Sequence, residues 1–297
     1  MPQPPALPGA GSQAAALVGG AAVELSRVLL PSTCVVCGVS GPALCPSCRP
    51  ATRRSTLHPF YTQEQAPALP PRSEPGRQDE PLPVLAAGRY AGGLALALLA
   101  YKNHGRTDLL PFMAAVLASV LHPAVRDTGR DRLILVRVPG GAAGFRRRGY
   151  DPLGLILHRL RRQGCLPRGA ILCPVVGYTP GKRLQELLPG PVASVLPGSG
   201  ASQKSLGRKK RRSNVHGTMT AGEPGSLRGM HCLVVDDVLT TGSTIGETVR
   251  ALRAAGAAVH GAAVLAAASA AAAGPCGSAN ASAAGASAAN RNANPGR

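Results

Sequence analysis

The residues of this chain best suited to chemistry lie in one run, Cys232-Leu233-Val234-Val235-Asp236-Asp237-Val238-Leu239-Thr240-Thr241-Gly242-Ser243-Thr244. Cys232 to Val235 is short and apolar and reads as a buried strand of a parallel sheet. Asp236 and Asp237 put two carboxylates at the C-terminal end of that strand, where open α/β sheets bind ligands. Thr240, Thr241, Gly242, Ser243 and Thr244 form a turn of small hydroxyl residues around one glycine, opening a helix. Thr244 and Glu247 have the spacing of a capping box, which predicts a helix start here. A helix N-terminus with free N–H groups and neighbouring hydroxyls binds phosphate. The run therefore predicts a cup for a phosphorylated sugar. Its loop would hold the phosphate, and its carboxylates would hold sugar hydroxyls and a metal.

A second set of reactive side chains comes early. Cys34-Val35-Val36-Cys37 and Cys45-Pro46-Ser47-Cys48 are two CxxC pairs with seven residues between them. Such pairs grip a metal from tight turns, and four thiolates satisfy a tetrahedral zinc completely. The expectation is a structural rather than a catalytic Zn²⁺ on Cys34, Cys37, Cys45 and Cys48, against the alternatives of two disulfides or four unrelated thiols. The start of the chain lacks a basic stretch followed by an apolar core and a cleavage site, so no signal peptide is expected. No apolar run reaches the roughly 18 residues of a membrane span. A cytoplasmic protein is expected, where paired disulfides are disfavoured.

The elements that must position these groups follow from periodicity and punctuation. Ser12 opens a candidate helix to about Leu30. Residues 51–82 carry Pro59, Pro67, Pro70, Pro71, Pro75 and Pro81 and read as a linker. Strands are expected over 83–90, 132–138, 171–178 and 257–265, with helices over 92–101, 107–121, 151–163 and 246–255. Pro139-Gly140-Gly141 ends one strand and is a second place where backbone could approach a phosphate closely. The division is 12–50 for helix and cysteine ribbon, 51–82 for the linker, 83–265 for the α/β domain and 266–297 for the tail. That tail is Ala, Ser, Gly and Asn without acids and is expected to be disordered.

Lys and Arg number 33 against 14 Asp and Glu, a net charge of +19, which suits an anionic partner. An Ala/Gly/Pro/Arg-rich composition also arises from base composition alone, so nucleic-acid binding stays open. Aromatic residues are 3% and Trp is absent, so the core must come from Ala, Val and Leu. Arg146-Arg147-Arg148 and Arg208 to Arg212 are basic runs. Either is a solvated charge run or a contact to pyrophosphate or nucleic acid.

The run from Cys232 to Thr244 resembles the phosphoribosyl-diphosphate motif of type I phosphoribosyltransferases. The order of features resembles the ComF family, the late-competence branch of that fold. That order is four cysteines, then Tyr90 and Lys102, then Arg148-Gly149-Tyr150, then Gln203, Leu206, Arg211 and Asn214, and last the paired acids. Where family members carry Arg-Gly-Phe-Asn-Gln, this chain has Arg148-Gly149-Tyr150-Asp151-Pro152. The resemblance implies an α/β fold of type I phosphoribosyltransferase-like character. It would have a parallel sheet of about five strands flanked by helices, a small N-terminal four-cysteine zinc ribbon and a disordered C-terminal tail. It implies phosphoribosyl diphosphate bound with Mg²⁺, Asp236 and Asp237 as catalytic groups at the ribose, and the 5-phosphate on Thr240 to Thr244. Gly140, Gly141, Arg148 and Arg211 are implied for the pyrophosphate. Three functions fit: transfer of phosphoribose to a nitrogen acceptor, a competence or DNA-processing factor that contacts single-stranded DNA or protein partners, and a sensor that binds without turnover.

Overall fold

The computed structural model describes residues 33–74, 76–182 and 216–268. The candidate helix at 12–30, the basic run at 208–212 and most of the tail lie outside them. Six strands form one sheet in the order β1-β2-β8-β7-β3-β4. They are β1 (Phe60–Tyr61), β2 (Val84–Arg89), β3 (Leu133–Arg137), β4 (Ala170–Leu172), β7 (His231–Leu239) and β8 (Ala258–Ala267). All pairings are parallel except β1 with β2. Two short strands, β5 (Gly177–Tyr178) and β6 (Met219–Thr220), make a separate antiparallel pair.

Alternation along the strands divides the core into two layers. Leu85, Ala87, Leu135, Leu233, Val235 and Leu265 pack beneath α2 (Gly92–Asn103), α3 (Leu110–Arg126) and α5 (Pro152–Arg162). Val84, Ala86, Val136, Val234 and Val264 face the opposite way, against Ile245, Val249 and Leu252 of α6 (Ser243–Ala254). A core of small residues lets helices approach the sheet closely, as a chain poor in aromatics requires. Together with the turn before it, α3 makes a stretch, Thr107–Arg126, of 20 residues with the length and hydropathy of a membrane span, contrary to expectation, yet 56% of its apolar window is buried inside the fold. Its Met113, Val116, Leu117, Val120 and Leu121 are fully enclosed, so it is a core helix.

Several local expectations are revised. The expected strand at 171–178 is two strands in two sheets: Cys173 N still donates to Leu135 O at 3.2 Å, and the chain leaves the ladder at Pro174, which has no N–H to give. α3 continues past Leu121 and carries Pro123 in its last turns. The basic run Arg146 to Arg148 ends a short helix not expected from the sequence, α4 (Ala142–Arg148), and Gly149 at φ +75° turns the chain out of it.

The expected linker is packed. α1 (Cys48–Arg54) sets Thr52 so close to Gly93 that a Cβ there would lie 2.3 Å from its Oγ1. Thr62 N donates to Val84 O at 3.0 Å, and Ala66 is buried. The chain then crosses the outside of α6 as a strap. Ala68 N donates to Thr241 O at 3.0 Å, and Arg253 Nη2 donates to Pro71 O at 2.7 Å. A turn closed by Leu69 N donating to Ala66 O at 3.1 Å shapes this strap, and Leu82 N donating to Pro70 O at 2.8 Å ties its far end. Gly246 of α6 has no room for a side chain, since a Cβ would sit 2.7 Å from Ala68 O. A helix-interior Gly→Ala change ordinarily gains up to about 1 kcal/mol. Here Gly246→Ala is expected to lose roughly 1–3 kcal/mol, because a backbone carbonyl cannot swing aside. Urea unfolding checks the sign.

Candidate functional site

β7 and β3 lie side by side, and their C-terminal ends open into a cleft of about 900 Å³. Asp236 and Asp237 leave β7 on opposite faces, as strand alternation demands. Lys102, at the end of α2, closes on Asp237 with Nζ–Oδ2 at 2.5 Å. Asp237 N donates to Asp236 Oδ1 at 2.8 Å. Burial, with the Asp237 charge adding to it, pushes the Asp236 carboxyl from 3.8 up to about 8, against the pull of that N–H and of Lys102.

Beyond β7 the chain turns at Gly242 (φ +81°), which is the N-cap of α6. The left-handed backbone favours glycine there, and a Cβ would also meet Leu69 Cγ of the strap at 2.8 Å. Thr241 Oγ1 and Ser243 Oγ are hydrogen-bonded at 2.9 Å. The capping box expected of Thr244 and Glu247 does not form. Glu247 accepts from Met219 N at 2.9 Å and forms two 2.8 Å hydrogen bonds with Arg250. Gly242 has no side chain to cap α6, and Ser243 N makes only a long 3.4 Å contact to Thr241 Oγ1, so the helix start keeps donor capacity for an anion.

On the β3 side, Gly140 and Gly141 line the cleft ahead of α4. Gly141 has an ordinary φ of −64°, and a Cβ on Gly140 would find only Asp151 Oδ1, at 3.9 Å. Neither backbone strain nor protein crowding calls for glycine at 140, and its bareness suits close approach by a ligand. Arg148 also lines the cleft, and its buried Nε has no hydrogen-bond partner among the described residues.

The cleft thus brings together Asp236, Asp237, Thr240, Thr244, Gly140, Gly141 and Arg148. Thr241, Gly242 and Ser243 form the turn between the two lining threonines. Arg211, expected with Arg148, lies outside the described residues. Sequence reasoning left three features without a role: the Lys102 contact, the Arg137–Asp151 ion pair and the Phe145 ring at the cleft wall. A lone cation at a helix end and an Arg within a strand carry no motif. Asp151 does open α5 as expected, its Oδ1 accepting from Gly154 N at 3.2 Å. Tyr150, in the turn that departs from Arg-Gly-Phe-Asn-Gln, donates from its hydroxyl to Tyr101 O at 2.5 Å.

Residues 189–275 match the family model described as phosphoribosyl transferase domain. The matched part contains the paired acids, the Thr-Gly-Ser loop and the strands β7 and β8. The domain is phosphoribosyltransferase-like. The chain is also similar to an orotate phosphoribosyltransferase of Pyrobaculum calidifontis, at 39% identity over 71 residues. That stretch is 24% of this chain and 36% of the relative, so the chain spans about a third of the length of the curated protein it matches.

Apart from this phosphoribosyltransferase-like domain, four thiols form a second cluster. The Sγ atoms of Cys34, Cys37, Cys45 and Cys48 lie within 4.8 Å of one another. Cys37 and Cys45 are 3.7 Å apart, close to the roughly 3.8 Å that a tetrahedral site with 2.3 Å zinc–sulfur bonds requires. Burial pushes the Cys34 thiol up, but backbone donors from Cys45, Cys37 and Val36 outweigh it and bring the thiol down to about 6. Hydrogen bonding with Cys45 and Cys37 pushes Cys48 up to about 12. The donor set and spacing fit a metal. The cluster is fixed to the body by Val35, Val36, Ala43 and Leu44 in the α2/α3 core layer and by Arg106 Nη1 donating to Thr33 O at 2.9 Å.

The raised Asp236 has a consequence for stability. Between the ordinary carboxyl value of 3.8 and about 8, the folded protein holds a proton there that the unfolded chain has released. Stability from this group is complete below that window and is lost as pH rises through it. Asp236→Asn keeps the acceptor oxygen and removes the titration. Urea midpoints should show the variant matching wild type near pH 4 and exceeding it increasingly up to pH 8. A constant difference across that range would contradict the assignment.

Proposed function

We propose that the protein binds phosphoribosyl diphosphate with Mg²⁺ and transfers phosphoribose to a nitrogen acceptor. One observation carries this reading: paired acids, a phosphate-type helix start and an unpartnered arginine donor converge on one cleft, within or beside a phosphoribosyltransferase match. Thr240 to Thr244 would take the 5-phosphate on hydroxyls and α6 N–H groups. Asp236 and Asp237 would take the ribose hydroxyls and the metal, for which two carboxylates are suitable hard-oxygen ligands. Magnesium bound there would neutralise charge on the departing diphosphate. As the bond from the anomeric carbon to the leaving oxygen breaks, the sugar becomes cationic, and fixed carboxylates beneath it stabilise that charge without reorganising. Gly140, Gly141 and Arg148 would receive the pyrophosphate, with Arg211 assigned to the same group. Phe145, 54% exposed, with Val138, Val176 and Tyr178, forms an apolar wall on which a planar acceptor could lie.

The four-cysteine cluster is assigned a structural zinc, and the whole chain a ComF-like role. A second reading has the same fold acting as a competence or DNA-processing factor that holds nucleotide or single-stranded DNA without turnover. The cysteine cluster and the exposed Arg146 and Arg147 beside the cleft favour it. Formation of pyrophosphate on addition of candidate acceptors separates the two readings.

Asp237→Asn removes a charge and keeps the shape. Its affinity for phosphoribosyl diphosphate is expected to fall about ten- to a hundred-fold, with part of the Mg²⁺ dependence lost. Any turnover should fall further, because the carboxylate acts most on the transition state. Thr241→Val should instead weaken ribose 5-phosphate without changing metal dependence. Calorimetry of both variants reads this, and wild-type affinity in Asp237→Asn would place the sugar elsewhere.

Elemental analysis of protein purified without a histidine tag should find about one zinc per chain. Because metal binding is folding energy in such modules, chelation should free four thiols and lower the melting temperature. A metal-free preparation of unchanged stability would contradict the assignment.

A further inference from the structure

Lys102 and Asp237 form an ion pair across the cleft wall, with their side chains 40% and 19% exposed. The ammonium sits on Oδ2 and leaves Oδ1 open to a hydroxyl, but a metal at this carboxylate as proposed above brings a second cation beside Nζ, and that repulsion favours breaking the pair. Where the ammonium goes is constrained by the end of α2. Three hydrogen bonds join that turn to the basic side of the cleft. Tyr150 Oη donates to Tyr101 O at 2.5 Å, Tyr101 Oη donates to Pro152 O at 2.9 Å, and Arg147 Nη2 donates to Asn103 Oδ1 at 3.3 Å. Lys102 is therefore anchored between the paired acids and the segment that carries Arg148. Arg137, another cation of the cleft, is held by Asp151. A lysine is a compact point charge on a flexible four-carbon stem, suited to moving between two anions where an arginine fork would be fixed by its geometry.

We propose that Lys102 is an exchanged cation. It compensates Asp237 in the protein without substrate. On binding, it leaves that carboxylate to ribose and metal and moves to the diphosphate of phosphoribosyl diphosphate. This rests on the phosphoribosyltransferase reading and assigns a further substrate contact within it. The exchange keeps each charge opposed throughout. The charge of Asp237 is never left without a cation, and the incoming diphosphate meets one that is already in the cleft.

The test is calorimetry on wild type, Lys102→Met and Lys102→Arg with three titrants: phosphoribosyl diphosphate with Mg²⁺, ribose 5-phosphate, and Mg²⁺ alone. Lys102→Met keeps the stem and removes the charge. It is expected to lose roughly ten-fold or more in affinity for the diphosphate compound. Ribose 5-phosphate affinity should stay within about two-fold, since that ligand lacks the group Lys102 contacts. Mg²⁺ alone should bind more tightly, because its competitor for Asp237 is gone. Lys102→Arg should recover part of the diphosphate affinity. If Lys102→Met melts well below wild type, Lys102→Gln replaces it with the same expected pattern. Equal loss of both sugar ligands would make Lys102 a positioning residue for Asp237, and unchanged diphosphate affinity would remove any role; either result overturns the exchange. Wild type that binds ribose 5-phosphate and phosphoribosyl diphosphate equally also overturns it. Wild type that binds neither removes the functional reading itself.

Discussion

Two carboxylates on consecutive residues of one strand repel each other, and much of the cleft answers that repulsion. Asp236 lies on the α6 side of the strand, where desolvation and the Asp237 charge raise its carboxyl well above the usual range. Asp237 points the other way and is met by Lys102. A divalent cation and a ring of ribose hydroxyls, as proposed, would relieve the same repulsion. A strand end in the middle of a parallel sheet is where such a pair can be held without collapse. β3 and β8 clamp β7 from both sides, and the alternation of side chains sends the two acids apart.

The turn from Thr240 to Thr244 is held by neighbours as well. Gly242 and Gly246 lack side chains where the strap from Ala66 to Pro71 passes, and Thr241 is bonded to Ala68. The donors of α6 are thereby fixed in advance of any ligand. The strap in turn follows β1, which pairs with β2, and α1, which starts at Cys48. The chain thus passes from the cysteine module in the α2/α3 layer to the turn from Thr240 to Thr244 in the α6 layer.

The parts that could be read from the sequence were those whose signal is local. The apolar run before Asp236, the hydroxyl turn after it, the Asp151 helix start and the CxxC spacing each reflect chemistry within a few residues. What could not be read depends on distant partners. Residues 51–82 look like a linker because proline marks irregular chain, and nothing nearby shows that Ala68 and Leu69 will meet Thr241 and Gly242. The Thr244–Glu247 spacing suggests a cap, but Glu247 is claimed by Met219 and Arg250. The Lys102 contact spans 135 positions of sequence and has no pattern to announce it.

The central claim is that the cleft is a working phosphoribosyl-diphosphate site. Calorimetric titration of the wild-type protein with that compound, with and without Mg²⁺, tests it most directly. Saturable binding near one equivalent per chain, strengthened markedly by Mg²⁺, is the predicted result. Absence of binding at millimolar ligand with Mg²⁺ present, in protein shown to be folded, would contradict it.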